Sequence, residues 1–177
     1  MLMDEAKEIY FKYDCSLFVM AREENILYEE FKFLNIADTT LDEWKQEKFL
    51  SLWQQLKKSG SSNLFNRMYN LTENNHNREN LLILKEALYK VKYDSFKTNA
   101  YISEIILGRK VFSERSGMIF WAHDIGEHEI AMELIKFVIK LLDINTDNKN
   151  LISRCERDKQ KCYLISSELN YVVPNNE

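Results

Sequence analysis

The sequence predicts an all-α protein, and three observations predict it. The 177 residues include only four glycines and one proline. Sandwiches and barrels turn every eight to twelve residues, roughly, and use Gly and Pro to do so. Apolar residues recur at helical spacing over most of the chain, and several such stripes are preceded by a helix-capping residue. A single-domain bundle of about seven helices spanning residues 1–177 is the expectation, ending in an extended C-terminal tail from about residue 168.

Asp4 to Tyr13 can form a first short helix. The stretch Cys15-Ser16-Leu17-Phe18-Val19-Met20 reads equally as a strand or as a buried turn of helix, because periodicity does not separate the two at this length. Glu24 to Leu34 looks helical, with Leu27, Phe31 and Leu34 on one side. The clearest helix runs from about Leu41 to Lys58, with Trp44, Phe49, Leu52, Trp53 and Leu56 continuing the stripe that Leu41 starts. Thr40-Leu41-Asp42-Glu43 has capping-box spacing, Lys57 and Lys58 suit the negative end of the helix dipole, and Gly60 stands where helices commonly stop.

Leu64 to Leu71 is a short helix candidate, and Glu73-Asn74-Asn75-His76-Asn77 a polar loop. Asn77 can cap a helix over Arg78 to Lys92, Ser95 one ending near Gly108, and Ser113 one containing Met118, Ile119 and Trp121 that Gly126 breaks. Glu127 to Leu142 carries a stripe of Ile130, Leu134, Val138 and Leu141 with Phe137 beside it. Asp147 or Asn148 opens a last helix to about Ser166, and Tyr171-Val172-Val173-Pro174 reads as extended. Tight connections near 94, 110 and 126 would let residues 77–142 form two helical hairpins of about 34 residues, the tetratricopeptide period, as an alternative to a plain bundle.

Apolar residues make up 45% and charged residues 29% of a chain with net charge -4, the balance of a globular rather than a disordered protein. The start of the chain is acidic, without the basic and apolar regions of a secretory signal, and no stretch reaches the roughly 18 apolar residues of a membrane span. Cys15, Cys155 and Cys162 form no Cys-x-x-Cys pair. Seven residues of helix would separate Cys155 from Cys162 by about 10.5 Å of rise, too far for a disulfide. All three read as buried thiols of a cytoplasmic protein.

Charge is uneven. Residues 1–50 hold 6 basic and 12 acidic side chains, and residues 51–100 hold 8 and 4. The acidic part can repel nucleic acid or steer a basic partner, and a solvated surface partly paired with the basic middle is the simpler explanation. Arg154, Arg157 and Lys161 make a basic stripe on the last helix that could meet phosphates. Glu156 and Asp158 beside it favour ordinary helix pairs, so nucleic-acid binding is not the expectation.

The sharpest chemical constellation is Trp121-Ala122-His123-Asp124-Ile125-Gly126-Glu127-His128. Adjacent imidazole and carboxylate groups suit Fe, Mn, Zn or Ni, and a bound divalent ion can acidify water for hydrolysis. Met118-Ile119-Phe120-Trp121-Ala122-His123-Asp124-Ile125-Gly126 resembles the central motif of HD-domain phosphohydrolases, in which an apolar helix runs into His-Asp. The resemblance implies a metal site at His123 and Asp124, completed by an earlier His and a later Asp. The only earlier histidine is His76, 47 residues upstream, and the later candidates are Asp143, Asp147 and Asp158. Glu127 stands where that superfamily usually has a basic residue. The competing reading is a helix end capped at Gly126.

Other signatures fall short. His123 and His128 are five residues apart, not the His-Glu-x-x-His of a zincin, and Glu73-x-x-His76 has no second copy to make a di-iron set. No nucleophile elbow, phosphate loop or dinucleotide fingerprint is present. The expected function is a non-enzymatic, cytosolic protein-binding module of adaptor, regulatory or toxin-neutralising type, with no cofactor. The alternative is a metal-dependent phosphohydrolase centred on His123 and Asp124. Trp44, Trp53 and Trp121 are expected in the core, and any exposed aromatic cluster would mark a partner groove.

Overall fold

In a computed structural model that describes residues 2–72, 75–108, 116–143 and 147–172, every regular element is an α-helix. The all-α class therefore holds, but the helix count is a correction: ten helices stand among the described residues where about seven were expected. The physical reason lies in the turns. Asp14, Cys15 and Asn35 adopt left-handed φ values of 50°, 56° and 45°, so the first 35 residues turn without glycine and hold three short helices, one of them starting in the 15–20 stretch that periodicity leaves open. Asp and Asn tolerate this region because their short polar side chains bond locally.

The chain forms two compact units, residues 1–75 and 76–177. The first contains α1 (Met3–Lys12), α2 (Leu17–Glu23), α3 (Asn25–Phe33), α4 (Asp38–Ser59) and α5 (Ser62–Leu71). Residues 15–20 are thus a turn and a helix start: Ser16 Oγ accepts from the Val19 amide at 3.3 Å and opens α2. Tyr10 stacks on Phe31 at 5.6 Å and lies tilted 6.2 Å from Trp44, which joins α1, α3 and α4 through one aromatic cluster. α4 and α5 pack closely together, and Phe49, Leu52 and Leu56 of the one and Phe65 and Met68 of the other are buried. The α4 start departs from the sequence reading: the N-cap is Ala37, with Asp38 in the first turn, and Thr40 lies inside the helix. Its end follows the reading, with Gly60 at φ 69° and its amide donating to the Leu56 carbonyl at 2.8 Å.

The second unit contains α6 (Arg78–Leu88), α7 (Phe96–Leu107), α8 (Met118–Asp124), α9 (His128–Leu141) and α10 (Lys149–Glu168). Asn77, Ser95 and Asn148 cap α6, α7 and α10 through side-chain oxygens that accept from backbone amides. Ser113 lies outside the described residues. α8 and α9 form a closely packed hairpin, α7 and α10 pack on α9 and on each other, and α6 meets α8 more closely than it meets α7. Leu81, Leu84, Ile102, Ile105, Ile119, Leu134, Ile135, Val138 and Cys162 are fully or almost fully buried here. Gly108 and Gly117 have φ 84° and 104° where two stretches of backbone approach closely; a Cβ on Gly108 would overlap Ser116, and one on Gly117 would overlap the Gly108 backbone.

All three tryptophans are buried, at 8%, 6% and 3% exposure for Trp44, Trp53 and Trp121. The three cysteines are buried and unbridged. Among the described residues no helix is long and apolar enough to cross a membrane.

Candidate functional site

The turn between α8 and α9 brings histidine chemistry together. The Gly126 amide donates to the His123 carbonyl at 3.0 Å and the Glu127 amide to the Ala122 carbonyl at 2.8 Å, so the chain reverses within three residues of Asp124. That reversal sets the His123 and His128 rings 5.0 Å apart. Both Nδ1 atoms face one phenol, with His123 Nδ1 at 2.8 Å and His128 Nδ1 at 2.9 Å from the Tyr171 hydroxyl. Tyr171 is held by its own backbone: its amide donates to the Ser166 carbonyl at 2.8 Å, and Ser166 Oγ donates to the Tyr171 carbonyl at 2.7 Å. Burial raises the Tyr171 hydroxyl above its ordinary pKa.

Of the residues singled out from sequence, His123 is half-buried in this cluster and Asp124 is exposed beside it. His76 is elsewhere, stacked on the Trp121 ring at 4.5 Å. Asp143 pairs with Lys159 at 3.2 Å and Asp158 accepts from Arg157 at 3.1 Å. Among the described residues no three His, Cys, Asp or Glu side chains converge on a common point. Glu73 lies outside the described residues. Tyr171 was not legible as a partner of the histidines, because a residue in an extended tail carries no periodic signal of where it docks.

A second feature of this unit is an open groove of about 620 Å³ lined by Tyr89, Val91, Tyr93, Phe137, Leu141 and neighbouring polar residues. Phe137 meets Tyr89 and Tyr93 edge-on at 5.6 and 5.8 Å. The Tyr93 hydroxyl donates to the Leu88 carbonyl at 2.8 Å, which fixes that ring at the end of α6. Tyr89 remains 62% exposed. Four charged residues border the floor. Glu133 pairs with Lys85 and Asp143 with Lys159, whereas the Lys136 and Lys140 ammonium groups, both exposed, show no ion-pair partner among the described residues. Periodicity marks Phe137 only as a neighbour of the α9 stripe; Tyr89, expected inside a helix reaching Lys92, is instead the C-cap of α6, which ends at Leu88.

The basic stripe of α10 is internally engaged. Arg154 donates to Glu104 at 2.5 Å, Arg157 to Asp158 at 3.1 Å, and Lys161 Nζ to the Gly108 carbonyl at 2.6 Å. Burial lowers the Lys161 pKa.

The first unit holds a larger and more polar cavity of about 960 Å³, lined by Tyr10, Asp14, Cys15, Asp42 and Lys45 among others. Two of its carboxylates are paired: Arg67 holds Asp14 through both carboxylate oxygens, and Lys45 bonds Asp42 at 3.1 Å. Burial pushes the Cys15 thiol up to about 12, which keeps it protonated and unreactive at neutral pH. Compared with protein-family models, curated proteins and solved structures, the chain matches none significantly.

Proposed function

We propose that the chain is a protein-binding module whose recognition surface is the aromatic groove of the second unit, and that it acts without catalysing a reaction. One observation carries this reading: three aromatic rings line an open groove beside two lysines that have no ion-pair partner among the described residues. Interfaces concentrate affinity in aromatic anchors seated in a groove, with charge at the rim to set orientation and encounter rate. The partner that fits is a protein segment presenting an apolar side chain to the Tyr89–Phe137–Tyr93 floor, with Asp or Glu flanking it to meet Lys136 and Lys140.

The engagement of Arg154, Arg157 and Lys161 within the second unit supports a protein rather than a nucleic-acid partner. Phosphate binding needs cations that can exchange counterions for phosphate, and these three already serve internal acceptors. Peptide selection against the purified chain, followed by affinity measurement on groove variants, tests the proposal. Peptides with an acidic-flanked apolar anchor should emerge and should lose affinity on Tyr89→Ala.

A further inference from the structure

We propose that His123, His128 and Tyr171 form a binding site for a borderline divalent transition-metal ion, Cu2+ or Zn2+ in chemical class, which ties the residues after α10 to the α8–α9 turn. Both imidazole Nδ1 atoms approach the same phenol oxygen, at 2.8 and 2.9 Å. Metal ligands bound at about 2.0–2.2 Å in tetrahedral or octahedral arrangement lie roughly 3 Å from one another, so this spacing already approaches that of neighbouring ligands in one coordination shell. The three donors come from separate pieces of chain that are fixed independently. His123 lies in the last turn of α8, His128 begins α9 across the hydrogen-bonded turn, and Tyr171 is clamped at both backbone groups by Ser166. Imidazole nitrogen and phenol oxygen suit Cu2+ and Zn2+ better than they suit the all-oxygen shells of Mg2+ or Ca2+. Asp124 is not required as a ligand, so the site differs from one built on the His123–Asp124 pair.

Without metal the hydroxyl donates to one Nδ1 and accepts from the other, which places one imidazole in each tautomer. Coordination needs the Nδ1 lone pair of both rings. One histidine therefore moves its proton from Nδ1 to Nε2, and the phenol releases its proton to solvent as the oxygen bonds the ion. No oxidation or reduction is involved, and one proton leaves per ion bound.

Titration of the full chain with Cu2+ against a competing chelator tests the site, followed by visible absorption and circular dichroism. The expected result is one ion per chain, with a visible phenolate-to-copper charge-transfer band. Tyr171→Phe, which preserves ring volume, should abolish the band and weaken binding by about tenfold or more, and exposed His128→Gln should weaken it by about as much. His76→Ala, which removes the one histidine outside the cluster, should leave both unchanged. Absence of stoichiometric binding would overturn the proposal. So would equal affinity in folded Tyr171→Phe and native protein, or loss of binding in His76→Ala with the other two variants unaffected.

Discussion

Tyr89 and Phe137 meet edge to face with ring centroids 5.6 Å apart, yet Tyr89 keeps 62% of its surface exposed. An aromatic ring that packs against a neighbour and remains largely open contributes little to folding and much to what can bind above it. Tyr89→Ala should therefore change stability by only about 0.5 kcal/mol, whereas half-buried Phe137→Ala should cost about 1–3 kcal/mol. Urea unfolding of the two variants checks the contrast, and equal losses would mean that Tyr89 is part of the core.

Gly108 and Gly117 occupy left-handed backbone and leave no room for a Cβ, whereas Gly126 at φ 83° has open space around it. Gly126→Ala should cost about 1 kcal/mol, the dihedral term alone. Gly117→Ala adds overlap with the Gly108 backbone and should cost about 2 kcal/mol or more. Denaturation midpoints compare them directly. Similar losses at both positions would show that the close approach is not a constraint.

Cys15 and Cys162 are buried thiols whose pKa values rise from 9.0 to about 12, chiefly through burial. The unfolded chain loses these protons near pH 9, while the folded chain holds them until about 12. Between those values the unfolded state binds fewer protons, so stability falls as pH rises, by at most about 1.4 kcal/mol per pH unit for each thiol. Unfolding free energy should be flat from pH 7 to 8.5 and decline above 9, with the decline reduced in Cys162→Ala. A stability that rises over that range would contradict the burial of both thiols.

Asn77 accepts the Asn80 amide at 2.8 Å and opens α6, while Thr40 lies within α4 rather than at its start. Asn77→Ala should cost about 1 kcal/mol and Thr40→Ala less than about 0.5 kcal/mol, read from thermal or urea unfolding. A larger loss at Thr40 would restore it as the cap.

That pair of residues also shows what the sequence could convey. Caps whose side chains accept an amide two or three residues ahead are local, so Asn77 and Ser95 were legible, and Asn148 was one of two candidates with Asp147. Apolar stripes report burial, so Leu52, Leu84, Ile105 and Leu134 were expected inside and lie there. The breaks after Tyr13 and Leu34 were legible where the helical stretches Asp4–Tyr13 and Glu24–Leu34 end, but the left-handed residues that make them, Asp14, Cys15 and Asn35, were not, because such residues other than glycine look ordinary in a sequence. The histidine cluster was half visible: His123 stood out beside Asp124 and His128 lay close by in the sequence at a spacing that fits no zincin motif, but Tyr171 reaches them only through tertiary packing. The groove was missed because exposed aromatics break helical period rather than follow it.

The most direct test of the binding reading is peptide-display selection against the native chain, with affinities of the selected peptides measured on native protein, Tyr89→Ala and the double charge reversal Lys136→Glu, Lys140→Glu. The groove predicts peptides with an aromatic or aliphatic anchor flanked by Asp or Glu, weakened by about tenfold or more in both variants. Selection of no such peptides, or peptides that bind all three proteins equally, would contradict a recognition surface at Tyr89, Tyr93 and Phe137.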